Sequence, residues 1–511
     1  MTLQEAHQKL RLETIFLRRE NDKLKQGTYV DADRLANEKE IRHLKWELSN
    51  ATRERDNYHA LWRKCITDGC GELKSEVLEL RKLLREANDM IAKLKVQMNQ
   101  DHENSSFASS QKPFRKKIKN SRVKTDRKAG GQPGHVGYKR PHMEPTNPII
   151  ILPVPDSIQN NSDLYPTTEY ISKQVADLKI SVDVTEYRAQ VFRSHSTGQR
   201  FHAPFPNGIS NEFNYGENAK ALAFLLNNYC NVSIDKTSEL ISGISDGNIT
   251  LSKGLINSLP LQFSSATEKE RQHIFSMLLK APSMHSDATP GKVNGKTVQV
   301  IVCANQDELL YFFREHKGHA GIQGTPVEHY QQILVHDHDI TYYNYGADHQ
   351  ECLAHVSRYL QSSIENEPNL TWNSQMKKYL SNTIHEVKQN RILSEQRITE
   401  LEDEYVRILW CADREYSLHP PNKYYPDGYN LYLRMKDLKH NHLLFLSHPE
   451  IEYTNNISER ALRKFKRKFK QAVTFRCNDS VEALCNCMSV IETRRLQGCN
   501  VFNISKEIFS Y

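Results

Sequence analysis

Leu73, Val77, Leu80, Leu84, Ala87, Ile91, Leu94 and Met98 follow one another in alternating steps of four and three. Apolar residues at that average spacing form one narrow stripe on a helix, and such a stripe has to be covered by another helix. Leu3, Leu10, Leu17 and Leu24 recur every seven residues, with Asn21 at the other seam position, and Ile41, Leu44, Leu48 and Ala51 give a second stretch. The first hundred residues are therefore predicted to be a coiled-coil oligomerisation region (1–100), interrupted near Gly27 and at Asp68-Gly69-Cys70-Gly71. Self-association is favoured. The alternative is a helical hairpin within one chain, which the break at 68–71 would permit.

The full 511 residues exceed what one core organises, so three or more modules are expected. No apolar run approaches the roughly 20 residues of a membrane helix. The start, Met1-Thr2-Leu3-Gln4-Glu5, lacks the charged-then-apolar pattern of a signal peptide, so export is not expected. The 10 cysteines are scattered rather than set in a dense framework, which fits a reducing cytoplasm. The net charge of +7 is unevenly spread: Lys112 to Arg140 holds eleven Lys/Arg and one acid, and Arg460 to Lys470 holds seven and none. Concentrated positive charge on a mildly acidic body points to a polyanion partner, although single basic runs are commonly just solvated.

The texture changes several times along the chain. Residues 101–148 form a basic, Gly-rich linker carrying Arg115, Lys116, Lys117, Lys119, Arg127 and Lys128, with little to bury. Residues 149–210 have strand character, as in Ile149-Ile150-Ile151-Leu152 and Val182 to Phe192. Residues 211–280 are a module of short helices, weakly similar in pattern to a helix-turn-helix. From about 281 the chain is α/β, with strands predicted at 284–293, Thr297 to Ala304, Leu309 to Arg314 and Ile333 to Asp337. That first part of a core (281–360) is followed by a helical insertion (361–450) and by C-terminal helices (451–511), starting near Asn456.

Three carboxylates stand out. Asp287 lies on the first of these strands, Asp337 at the end of a short strand fifty residues later, and Glu459 at the start of a helix. Two strand-borne Asp and one helix-borne Glu is the layout of a ribonuclease-H-like nuclease centre. Hard oxygen ligands suit Mg2+ or Mn2+, and two ions about 3.5–4 Å apart can hold both the attacking and the leaving oxygen of a phosphodiester. Each residue has a plainer reading. Asp287 could be a turn acid before Pro290-Gly291, Asp337 has rivals in Asp339 and Asp348, and Asn456-Ile457-Ser458-Glu459 spells a capping box.

Beyond Glu459, Arg460, Arg463, Lys464, Arg467 and Lys468 are expected to face outward and hold phosphates, while Phe465 and Phe469 anchor the helix in the core. Cys352 and His355, three apart on a predicted helix, could ligate zinc with a second pair. A buried Cys and a hydrogen-bonded His bracing the core are preferred, because a closed zinc site needs four ligands.

Several segments, in order, resemble the insertion-sequence-66 family of bacterial DDE transposases. Ala129-Gly130-Gly131-Gln132-Pro133-Gly134-His135 is similar to its glycine-rich signature, and Tyr187 to Pro206, ending in Arg200-Phe201-His202-Ala203-Pro204-Phe205-Pro206, to the tail of its zinc ribbon. Asp287-Ala288-Thr289 resembles its first catalytic motif, Asp337 with Tyr342 its second, and Cys352-Leu353-Ala354-His355 its Cys-Trp-Ala-His motif. Asn455-Asn456-Ile457-Ser458-Glu459-Arg460-Ala461-Leu462-Arg463 is similar to the long motif that carries its catalytic Glu. Two departures stand beside these. Ala288 replaces the family's usual Glu, and Arg193 to Gly198 has serines where zinc-binding cysteines would sit, which puts zinc there in doubt.

The resemblance implies a multidomain α/β protein: an N-terminal coiled coil, a β-rich degenerate zinc-ribbon-like segment, a helical DNA-binding module, and a ribonuclease-H-like core with a helical insertion. It implies metal-dependent cleavage and strand transfer of an insertion sequence, with Asp287, Asp337 and Glu459 binding two Mg2+ or Mn2+ ions. Its partners would be double-stranded DNA, further copies of the chain and accessory proteins encoded by the element, in a bacterial cytoplasm at the nucleoid. The departures motivate the alternative of a catalytically inactive, DNA-binding, oligomerising relative.

Overall fold

The computed structural model describes residues 140–421 and 423–510, together with 134–136 and parts of the N-terminal region (46, 49–50, 52–61, 63 and 74–99). The expected seam positions before residue 46 and the basic linker residues Arg115, Lys116, Lys117, Lys119, Arg127 and Lys128 lie outside the described residues.

Helix α1 (Lys74–Asn99) carries the regular part of the seam. Its Ala87, Ile91 and Leu94 are buried, and the helix packs against α9 (Leu353–Asn366) of the same chain. Tyr58, on a helical stretch across 52–61, is buried against Leu80 and Leu83. Among the described residues, part of the stripe is thus packed against another helical stretch and against α9 of the same chain.

The β-rich expectation for 149–210 is corrected. Apart from one helical turn (α2, Asp156–Gln159), the segment holds only a ladder of Phe192–Arg193 with Arg200–Phe201. Ile149, Ile150, Ile151, Leu152, Ile171 and Val175 are all exposed. Most of these side chains are β-branched and favour extended backbone, but a strand needs a partner to pair with, and none lies alongside among the described residues.

Four helices follow: α3 (Glu217–Phe224, continued by a π-helical turn Leu225–Tyr229), α4 (Ile234–Ile244), α5 (Lys253–Ala266) and α6 (Glu268–Lys280). Ser233 and Ser252 cap α4 and α5 by accepting from the N–H of Lys236 and Leu255.

A five-stranded mixed sheet comes next: β1 (Ser283–Val293), β2 (Lys296–Ala304), β3 (Leu309–Arg314), β4 (Ile333–His336) and β5 (Asp348–Glu351). Single turns α7 (His319–Ile322) and α8 (Pro326–His329) bridge β3 to β4. The spatial order is β3-β2-β1-β4-β5; β1, β2 and β3 pair antiparallel, and β4 and β5 run parallel to β1.

Alternation along β2 decides what covers each face. Ile301 and Cys303 point toward α3–α6 and join Phe224, Ile256, Phe263 and Leu278 in one core. Val298, Val300, Val302 and Ala304 point the other way, onto Leu462, Phe465 and Phe469 of α14 (Asn456–Ala472) and Val481 and Leu484 of α15 (Asn478–Leu496). The short C-terminal helix α16 (Val501–Phe509) returns to the first core through Ile504 and Phe509.

Between β5 and α14 stands a separately cored helical insertion: α9, α10 (Trp372–Gln389), α11 (Glu395–Leu418), α12 (Asp427–Asp437) and α13 (Lys439–Leu443). Within it α10 and α11 are parted at 390–394, where Ser394 caps α11.

Gly291 marks the tightest contact between sheet and helix. A Cβ there would stand 2.1 Å from Cζ of the buried Phe469 ring. Gly291→Ala should therefore lower stability by about 1–3 kcal/mol, the usual cost of overpacking. Chemical denaturation would show this as an earlier midpoint, and an unchanged midpoint would mean that the ring moves aside freely.

Candidate metal and nuclease centre

Met284 and His285 of β1 are in parallel register with Leu334 and Val335 of β4. Continuing that register by two residues sets Asp287 beside Asp337, which follows β4 directly. Neighbouring strands lie about 4.8 Å apart, and residues in register point to the same side. The two carboxylates therefore share the edge of the sheet where β4 ends, Asp287 within β1 and Asp337 just past β4.

Glu459 reaches the same edge from the first turn of α14. The helix is capped by Asn455 rather than Asn456, and the Glu459 carboxylate does not return to the helix start. Its Oε2 accepts from Arg463 Nη2 at 2.8 Å, and its buried Oε1 has no hydrogen-bond partner. The nearest cations to that oxygen are Arg358 at 3.7 Å and His355 Nε2 at 3.9 Å. The capping-box reading is thus replaced by a carboxylate turned into the sheet edge.

Asn455, fully buried, fixes where α14 begins. Its Nδ2 donates to Ser286 O at 2.8 Å, its Oδ1 lies 3.3 Å from His285 Nδ1, and its backbone N–H donates to Cys352 Sγ at 3.1 Å. One side chain thus ties the helix of Glu459 to the strand of Asp287, one residue away from it. Sequence reasoning did not single out Asn455, because its partners are distant in the chain.

His355 stands between Asp337 and Glu459, with Nδ1 2.5 Å from Asp337 Oδ1. Burial alone would lower its pKa, but the adjacent Asp337 carboxylate and Cys352 outweigh burial and lift it to about 10. Asp287 is pushed up to about 7 by burial first and by the nearby Asp337 carboxylate second. A carboxylate so raised by burial and a neighbouring acid marks a site short of positive charge. Asp287, Asp337 and the unsatisfied Glu459 Oε1 are all oxygen donors, the type a hard divalent cation prefers. Ligand atoms of Asp337, Cys352 and His355 also lie within 4.8 Å of one another. That group has three members, Cys352 Sγ already accepts a backbone N–H, and His355 is held by Asp337.

A second buried polar cluster adjoins the first. Glu351, at the end of β5 and 1% exposed, accepts at Oε1 from His338 and from Tyr343 (2.5 Å). At Oε2 it meets His442 Nε2 at 2.8 Å and Arg434 Nε at 3.9 Å. Burial would raise its pKa, yet hydrogen bonds from His338 and His442 and the charge of Arg434 hold it far below the usual carboxylate range.

The cations of α14 are not uniformly outward. Arg460, Arg463 and Arg467 are exposed. Lys464 is half-buried and paired with Glu492. Lys468 is buried, with Nζ donating to Asn227 O at 2.6 Å, which corrects the expectation that it faces solvent. Phe465 and Phe469 are buried in the sheet–helix core.

Among the described residues no helix is long and apolar enough to cross a membrane. A search of curated proteins finds no match. The family model described as Transposase IS66 family matches residues 223–483, which takes in the end of α3, α4–α6, the sheet, the insertion and α14. That match covers half of the chain, and with it the protein is a member of the IS66 family of transposases.

Proposed function

We propose that the chain is a nuclease and strand transferase with a ribonuclease-H-like core, acting on DNA phosphodiesters at the ends of an insertion sequence. The observation that carries this is the register of β1 and β4, which sets Asp287 beside Asp337, with Glu459 joined to Asp337 through His355. A sheet with three antiparallel strands followed by two parallel ones, the acids on its central pair, supports the same reading.

Two Mg2+ or Mn2+ ions bound there would supply Lewis acidity for both the attacking and the leaving oxygen. Asp287 and Asp337 would hold the ions from the strands, and Glu459 would complete the second site from α14. Water attacks the phosphodiester at the element's end and frees a 3′-hydroxyl, and that hydroxyl then attacks target DNA in line at the same carboxylates. Arg358 and His355 hold Glu459 and Asp337 in position by charge. Exposed Arg460 and Arg467 bind backbone phosphates without reading sequence, in a salt-sensitive way.

Purified protein with DNA carrying the element's ends and Mg2+ or Mn2+ is expected to cut it and to join the freed end to a second duplex. Asp287 has to lose its proton to bind metal, so affinity for Mn2+ should fall as pH drops below about 7. Binding of DNA without any metal-dependent cutting would leave the inactive, DNA-binding relative as the reading.

A further inference from the structure

Lys468 combines deep burial with the lack of a counter-charge. It is 7% exposed, and its ammonium makes one hydrogen bond, to Asn227 O at 2.6 Å. Among the described residues no carboxylate forms an ion pair with it; the neighbouring Glu492 is engaged by Lys464 and Arg495. A buried ammonium with two unused N–H groups and no anion is an expensive arrangement unless something supplies the missing charge.

The space beside it suits such a ligand. A cavity of about 150 Å³ is lined by Lys464, Arg467 and Lys468 together with Asn228, Tyr229 and Asn231, and no carboxylate lines it. At roughly 30 Å³ per water it has room for about five, enough for a tetrahedral oxyanion. Its far wall is the π-helical turn Leu225–Tyr229, followed by Asn231 at φ 60°, a left-handed conformation uncommon for a side-chain-bearing residue. Both features concentrate at functional sites.

We infer that this cavity is a phosphate-binding site, in which the Lys468 ammonium, with Arg467 at the rim, receives a terminal phosphate group. Lys468 is nine residues beyond Glu459, which at 100° per residue is half a turn around α14. The site therefore lies on the face of the helix away from the carboxylates and is separate from the metal centre. A terminal phosphate with three free oxygens can reach the buried Lys468 ammonium, whereas a backbone diester, held by the chain on both sides, is kept at the rim. The two sources of such a group are free phosphate and the 5′-phosphate end of a DNA strand.

The test is binding by the full chain, so it does not depend on cleavage. Inorganic phosphate, against chloride at matched ionic strength, is expected to raise the thermal unfolding midpoint of the wild type and to leave that of Lys468→Met unmoved. A 5′-phosphorylated oligonucleotide should bind the wild type about tenfold more tightly than its 5′-hydroxyl counterpart, the scale of one charge-assisted hydrogen bond, and the preference should vanish in Lys468→Met. A shift with free phosphate but no preference between the oligonucleotides supports the site and assigns it to the free anion. Arg467→Ala changes only the exposed rim and should weaken the phosphate effect, which keeps the test open if Lys468→Met does not fold. No phosphate effect in the wild type, or equal effects in all three proteins, would overturn the site.

Discussion

Asp337→Asn is expected to abolish metal-dependent strand cleavage while leaving the fold and DNA binding in place. Asn keeps the size and one oxygen of Asp337 but removes the charge that a divalent cation requires. It also breaks the charge pair with His355, which links Asp337 to Glu459. Loss of a ligand from a cooperating set should lower the rate by on the order of 10³-fold or more. Glu459→Gln should do the same, and the double variant should lose little beyond either single one, because residues that act as a unit are not additive. The measurement is single-turnover cutting of end-containing DNA with Mg2+ and with Mn2+, alongside a binding isotherm. Wild-type cutting by Asp337→Asn would remove Asp337 from the centre.

The second large effect is structural. Glu351 is the acceptor for His338, Tyr343 and His442 and lies near Arg434, and it is almost wholly buried. Glu351→Ala would leave these donors facing an apolar gap, so a loss of about 3–5 kcal/mol is expected, the scale for removing one partner of a buried ionic network. Because the folded pKa of Glu351 is depressed, its contribution is fully present above the ordinary carboxylate pKa of about 4.3 and is lost as pH falls through the folded value. Denaturation midpoints at pH 7 and at pH 3 should differ more for the wild type than for Glu351→Gln. Equal pH dependence in the two proteins would show that Glu351 is not the group responsible.

How much of this was legible in the sequence depends on how local the cause is. β2 was readable, because Val298, Val300, Val302 and Ala304 alternate with Ile301 and Cys303 and each set has a core to enter. β5 was not: Asp348-His349-Gln350-Glu351 holds no apolar residue, and the strand is held by side-chain partners about 90 residues away in α13 and just beyond, as when Gln350 Oε1 accepts from Phe445 N. The segment 149–210 failed in the opposite way, with strand-like residues but no neighbour to pair with.

In the candidate site, Asp287, Asp337 and Glu459 could be picked out from two predicted strands and a helix start. Asn455 and Glu351 could not, since their importance comes from contacts across 91–170 residues of chain. Lys468 could have been read correctly. It falls seven residues after Ala461 and three after Phe465, on the stripe that the phenylalanines bury.

The insertion ends where it begins. Leu353 N donates to Tyr453 O at 3.0 Å, so about a hundred residues leave the sheet and return to it at one point. From the standpoint of Asp337 and Glu459, that stretch is a cassette whose two terminals touch. Its length can drift over evolutionary time at little entropic expense, since closure depends only logarithmically on loop size. It is not an inert cassette, because His442 and Arg434 reach back from it to Glu351, thirteen residues beyond His338 and fourteen beyond Asp337. A chain that trimmed α12 and α13 would keep its three acids and lose the grip that steadies the turn after one of them.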